Sequence, residues 1–158
     1  MSSHKKNLPL KLELLWWIFT LVVLAGVLIP ILSSIEHYPF TKINILFVVV
    51  FITLARYIFL LRHTFLAKQQ KLKAVLIFVS IPFLFFLISQ MHFFQTYLDE
   101  NGVEAFIDTS LSIDKRNSLA SFVRNQMMFF GAGAVITAFI FPFRMLMSIW
   151  TFRNRGRA

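Results

Sequence analysis

Two long apolar runs joined by a basic connector constrain the fold of this chain most strongly. The runs cover residues 43–61 and 74–94, and each contains about the 20 residues that a helix needs to cross a bilayer core of about 30 Å. Residues 62–73 join them and contain four Lys or Arg residues and no acid. Such a loop is retained on the cytoplasmic side, so this pair of spans sets how the rest of the chain is threaded.

Two further apolar runs, at residues 14–32 and 127–150, complete a set of four spans. Hydrophobic residues make up 58% of the 158-residue chain, above the roughly 45–50% of soluble domains. A length of this order allows one domain. The sequence therefore predicts an all-α membrane protein, a four-transmembrane-helix bundle that forms one integral membrane domain over residues 1–158.

The distribution of charge predicts how the bundle is oriented. Lys and Arg concentrate before the first span, between the second and third, and after the fourth, which predicts that both termini are cytoplasmic. The longest connection, residues 95–123, is then an extracytoplasmic segment that carries most of the acids. Within it, the helical spacing of apolar residues over 103–111 predicts a short amphipathic helix on the outer interface. The short loops indicate a bacterial inner membrane.

Charged residues inside the spans are the main candidates for a site. Arg56 and Arg144 each lie about six residues from the predicted cytoplasmic end of a span, and Glu13 is the acid predicted on that side. Three interpretations remain open. The arginines could extend their charges to the headgroups, the three residues could form a structural ion cluster, or they could bind an anion or a lipid headgroup near the inner leaflet.

Small residues mark two places where helices could approach each other closely. In the fourth span these are Gly131, Gly133 and Ala134, and in the first span they are Ala25 and Gly26. Side chains this small let two backbones come together, and such patches are typical of helix packing in membranes.

Signals for chemistry are sparse in the sequence. The chain has no Cys, which excludes disulfides and thiolate catalysis. We predict no metal site, because the weak candidate ligands His92, Asp99 and Glu100 fit no ligand spacing and are typical of a hydrated interface. No hydrolase, metalloprotease or phosphate-loop motif is present, so we predict no cofactor and favour a protein that is not an enzyme.

The sequence favours a non-catalytic accessory, scaffold or assembly component of the membrane. Its expected partners are the bilayer, through anionic headgroups, and other membrane proteins or further copies of itself. We expect its protein contacts at the small-residue face of the fourth span and at the acidic outer segment. The alternative is a small oligomeric channel or transporter for an anionic solute. Nucleic acid is not an expected partner, because the bases flank apolar runs instead of forming one polar stripe.

Overall fold

The computed structural model is helical, and its described residues form four long helices. These are α1 (Leu8–Leu32), α2 (Thr41–Leu60), α3 (Gln70–Asn101) and α4 (Ile113–Arg155), with a 3-10 turn at Phe65–Ala67. The described residues are 8–61, 64–67, 69–102, 105, 107 and 111–155. Most of the amphipathic helix predicted over 103–111 lies outside them.

All four helices are long and apolar enough to cross a membrane. In apolar surroundings each backbone N–H and C=O needs a partner within the chain, and a helix supplies these partners locally. Large apolar side chains also point outward: Phe59 and Phe78 expose 79% and 75% of their surfaces. Water would disfavour such a surface and lipid accepts it, so the fold is compatible with a multi-pass membrane protein.

Two of the helices extend well beyond the predicted apolar spans. α3 has 32 residues and α4 has 43, which correspond to about 48 Å and about 65 Å at 1.5 Å per residue. The ends of α3 and α4 therefore account for much of segment 95–123, which continues as helix where hydropathy ends. Hydropathy marks only the part of a helix that can lie in lipid, so it does not show where the helix itself ends. Helix α3 continues past its apolar part and ends where Gly102 adopts a positive φ of 71°.

Contacts between α2 and α4 show that these helices run in the same direction. Gly131 of α4 lies against Phe47 of α2, and thirteen residues further on Arg144 bonds the backbone of Ile58. Residue numbers therefore increase together along the interface. The interface between α2 and α4 is among the most extensive in the fold.

Helix α3 runs antiparallel to α4 and forms the other extensive interface. Lys73 near the start of α3 meets Ser148 near the end of α4, whereas Gln95 late in α3 bonds Met128. Helix α1 packs mainly on α2, and Glu13 near its start reaches Arg56 near the end of α2. The helices are thus arranged in the spatial order α1, α2, α4, α3.

The two ends of the bundle differ in charge. We call the end that contains Arg56, Lys73 and Arg144 the basic end. The opposite end is called the acidic end because four of the described acids lie there, namely Glu36, Asp99, Glu100 and Asp114, together with an equal number of bases, Lys42, Lys115, Arg116 and Arg124. At the acidic end, Phe40 is 2% exposed and packs among four aromatic rings with centroids 5.0–6.1 Å away. These rings belong to Tyr38, Phe93, Phe94 and Tyr97.

Three of the small residues in α4 are enclosed by α2 and α3. A Cβ added at Gly131 would lie 2.5 Å from Met91 Sδ and 3.1 Å from the Phe47 ring. A Cβ at Gly133 would lie 2.8 Å from the Phe51 ring, and Ala134 is fully buried. These positions let two neighbouring helices approach the backbone of α4, so this face already packs within the chain.

This packing has a consequence for the partner contacts expected from the sequence. The small-residue face of α4 is filled by Phe47 and Phe51 of the same chain, so it is not open to a partner. Gly26 differs, because nothing lies within 4 Å of a Cβ added there. Within the described part of the chain, Gly26 therefore makes no close helix contact, and Ala25 is exposed.

We expect Gly133→Ala to destabilise the fold by about 1–3 kcal/mol, the usual cost of overpacking a filled core. The Phe51 ring cannot easily move aside, because Phe129 and Phe130 lie against it with centroids 5.8 and 6.0 Å away. Unfolding of the purified protein in detergent micelles, followed by far-UV circular dichroism, would measure the change.

Gly26→Ala is the matched control, since the same methyl group enters open space there. It should leave stability unchanged or raise it slightly, because alanine favours a helix over glycine. Equal loss of stability in both variants would mean that the contact with Phe51 does not determine the effect.

Candidate functional site

Glu13 and Arg56 meet at the basic end in an ion pair between α1 and α2. Glu13 Oε1 lies 2.5 Å from Arg56 Nη2, and the side chains are 21% and 6% exposed. Arg56 belongs to a buried face of α2 that also contains Asn44, Val48 and Ile52 at intervals of four residues. This spacing keeps one face of the helix turned towards α1, so the side chain of Arg56 meets Glu13.

The same guanidinium has a second neighbour. The Arg56 Cζ atom lies 5.7 Å from the centroid of the Tyr57 ring, within the range of a cation–π contact. Arg56 is thus held by an acid from α1 and an aromatic ring from its own helix. Its enclosure favours a role in joining α1 to α2 over one in reaching headgroups.

Arg144 does not join this pair and binds the end of α2 instead. Its Nε donates a 2.9 Å hydrogen bond to the carbonyl oxygen of Ile58. The last four carbonyls of a helix have no partner within the helix, and Ile58 lies in the last turn of α2. Of the three residues predicted to cluster, the structure therefore brings together Glu13 and Arg56 and holds Arg144 at a separate point.

Lys73 is the charged residue that the sequence analysis missed. Its side chain is fully buried, and Nζ donates to the carbonyl of Ala67 at 2.8 Å and to Ser148 Oγ at 3.0 Å. Gln70 Oε1 accepts a third, longer bond of 3.4 Å. In the sequence Lys73 looks like one more base of the connector. The available signal was Ser148, a polar residue one helical turn after Arg144.

Arg144 and Ser148 line an open cavity of about 180 Å³ at the basic end. Gln70 and Thr151 supply the other polar groups of its wall. Within the part of the chain that the structure describes, neither Lys73 nor Arg144 forms an ion pair. The cavity therefore adjoins two positive charges that no carboxylate of the described residues compensates.

At the acidic end, Tyr38 in the α1–α2 loop contacts the side chain of Asn44. Burial raises the pKa of the Tyr38 hydroxyl above its ordinary value, and the hydrogen bond with Asn44 offsets part of this rise. The phenol therefore stays protonated at alkaline pH values where an ordinary tyrosine ionises. This contact fixes the loop where α2 begins.

The candidate metal ligands lie at the acidic end without forming a cluster. His92, Asp99 and Glu100 are all exposed on the later turns of α3. Across the described residues, no three His, Cys, Asp or Glu side chains come close enough to hold a metal ion. The structure thus adds no geometric support to a metal site there.

The four long apolar helices are compatible with a multi-pass membrane protein. Comparisons of this chain with family models, curated proteins and solved structures find no match.

We expect Glu13→Gln to lower the free energy of unfolding by roughly 1–3 kcal/mol. Removing one partner of a fully buried ion pair costs about 3–5 kcal/mol, and the partial exposure of Glu13 reduces that cost. Adding Arg56→Leu to this variant should cost less than the sum of the two single changes, because it removes the uncompensated charge. Unfolding in detergent micelles would give all three values.

The control is Glu36→Gln, which neutralises an exposed acid in the α1–α2 loop. It should change stability by no more than about 0.5 kcal/mol, as is usual for surface positions. Strictly additive effects of Glu13→Gln and Arg56→Leu would show that the pair contributes no coupling energy.

Proposed function

We propose that this protein is a non-catalytic accessory, scaffold or assembly component of a membrane. The observation that carries the proposal is the filled apolar middle of the bundle. Phe47, Leu87, Ala134 and Met127 meet there with no exposed surface. A transporter normally has polar or ionisable residues near the bilayer midplane, and a catalyst needs a polar pocket.

A groove at the acidic end supports a contact with another membrane protein. It has a volume of about 540 Å³ and lies between the end of α1 and the first turns of α4. Pro30, Leu119 and Phe122 give its wall apolar surface, and Asp114 and Lys115 add charge. Mixed surfaces of this kind are typical of protein contacts, in which an apolar centre is surrounded by a polar rim.

The alternative is a small oligomeric channel or transporter for an anionic solute. The observation in its favour is the cavity beside Arg144 and Lys73 at the basic end, where positive charge is uncompensated among the described residues. This cavity lies at one end of the bundle, and the apolar middle separates it from the other end. The accessory role therefore has the stronger support.

The proposed setting is a bacterial inner membrane with both termini in the cytoplasm. The basic end then faces the cytoplasm, in agreement with the preference of Lys and Arg for that side. Anionic headgroups of the inner leaflet would add to the attraction.

The orientation can be tested with single cysteines, because the natural chain has none. We expect a membrane-impermeant maleimide to label an Ala105→Cys variant in intact spheroplasts and a Lys71→Cys variant only after lysis. Both positions are exposed, so their access to reagent depends on the compartment. Labelling of both variants from the same side would contradict the proposed threading.

The accessory role predicts a stable hetero-complex when the tagged full chain is purified in mild detergent. Ser118→Trp places a large ring in the acidic-end groove, where overpacking costs about 1–3 kcal/mol. Recovery of the partner should therefore fall roughly tenfold. Quantitative mass spectrometry of the purified complex would measure the loss.

Ser121→Trp is the matched control, since Ser121 is an exposed serine on the same helix outside the groove wall. It should recover the partner as well as the natural chain does. Equal recovery with both variants would exclude the groove as the contact. A homo-oligomer that conducts anions in liposomes would overturn the accessory role in favour of the alternative.

A further inference from the structure

The cavity at the basic end is built around an arginine, Arg144, whose Nη donors have no partner among the described residues. Arg144 Nε is bound to the Ile58 carbonyl, which fixes the plane of the guanidinium. Among the described residues, no hydrogen bond engages either of its Nη groups. An arginine held by one edge with its other donors free is preorganised for an oxyanion, which accepts two parallel N–H bonds.

The rest of the wall supplies further donors and charge. Ser148 Oγ accepts a bond from Lys73, so its own hydroxyl proton is available to a ligand. The three protons of Lys73 Nζ are directed to Ala67, Gln70 and Ser148, which holds its charge in a fixed position. Lys73 bonds Ser148, one helical turn from Arg144, so the two positive charges lie near enough to repel each other. A bound anion would relieve that repulsion.

The location of the cavity suits a ligand at the membrane surface. Trp150 lies between the cavity residues Ser148 and Thr151 along α4 and is 68% exposed. Exposed tryptophans prefer the level of the headgroups, where the ring lies in apolar surroundings and the N–H meets water. The cavity therefore opens near the depth at which lipid phosphates lie.

We infer that the cavity at the basic end binds a phosphate-bearing anion, which Arg144 holds through its Nη groups and Ser148 through its hydroxyl. A phosphate fits better than a carboxylate, because a third oxygen remains for the hydroxyl after two have paired with the guanidinium. That oxygen is a terminal one in inorganic phosphate or a phosphomonoester and an ester oxygen in a lipid phosphodiester. The negative charge of the phosphate would also lie beside two neighbouring cations. The phosphate could belong to a lipid headgroup or to a soluble compound. The inference goes beyond the proposed accessory role and does not depend on it.

The test uses the purified full chain in detergent micelles and three probes. Native mass spectrometry would measure binding of dioleoyl phosphatidylglycerol against zwitterionic dioleoyl phosphatidylcholine, and calorimetry would measure inorganic phosphate. Thr151→Glu places a carboxylate in the cavity, where it can pair with Arg144 in place of the ligand. We expect this variant to bind the anionic probe at least about tenfold more weakly, as the loss of a charge-assisted contact implies.

Asn154→Glu is the matched control. It makes the same change of charge at an exposed position near the same end of α4, outside the cavity wall. Its affinity should stay within about twofold of the natural chain, because an exposed charge is screened by water and salt. The pair of variants therefore separates a built site from general attraction to a basic surface.

Arg144→Gln provides a second measurement if Thr151→Glu fails to fold. The amide of glutamine can still bond the Ile58 carbonyl but has neither the charge nor the fork for a phosphate. Circular dichroism would verify the helix content of each variant before binding is measured. We expect the same loss of about tenfold or more.

The outcomes divide cleanly. If Thr151→Glu but not Asn154→Glu loses phosphatidylglycerol binding, the site is supported with a lipid headgroup as ligand. If Thr151→Glu but not Asn154→Glu loses inorganic phosphate binding, the site is supported with a soluble phosphate as ligand. If the natural chain binds neither phosphatidylglycerol nor inorganic phosphate, the inference is overturned. It is overturned equally if Thr151→Glu and Asn154→Glu weaken binding to the same extent, and Arg144 then serves only to close the end of α2.

Discussion

Every backbone N–H and C=O in an apolar environment needs a hydrogen-bond partner, and the rest of this structure depends on that constraint. Helices satisfy it along their length, so the four apolar runs become α1 to α4. Helix ends do not satisfy it, and side chains must then supply the missing bonds. Arg144 does so for α2 through the Ile58 carbonyl. The same requirement therefore explains both the four helices and the hydrogen bond from Arg144 to the Ile58 carbonyl.

Close packing is the second determinant of the arrangement. Gly131 and Gly133 let the rings of Phe47 and Phe51 lie against the backbone of α4, which makes α4 the helix shared by α2 and α3. Helix α1 lacks such a contact and is joined to α2 near one end by the Glu13–Arg56 pair. Helix α1 also packs on α2 through an apolar cluster of Val27, Val48 and Ile52. The bundle thus combines a tightly packed group of three helices with α1, which lies mainly against one neighbour.

The sequence predicts the helices well and the charged contacts only in part. Four apolar runs of membrane-spanning length indicate four helices, because length and hydropathy are local properties. The contact between Glu13 and Arg56 was foreseeable as one acid near two bases. The bond from Arg144 to the Ile58 carbonyl was not foreseeable. Every residue has a carbonyl, and the sequence does not show which carbonyl lacks a partner within its helix. Lys73 was missed because its burial depends on the fold of the preceding turn, Phe65–Ala67, which Lys73 bonds. In the sequence, the whole basic connector looks exposed to water.

The contact between Arg144 and Ile58 also bears on how the chain is made. Synthesis proceeds from the N-terminus, so α2 exists long before α4 does. Until α4 arrives, the last turn of α2 lacks its arginine, and the rings of Phe47 and Phe51 lack the glycine backbone against which they lie. A nascent chain of three helices would therefore present unfinished surfaces to its surroundings. These four helices are packed together only when α4 has entered.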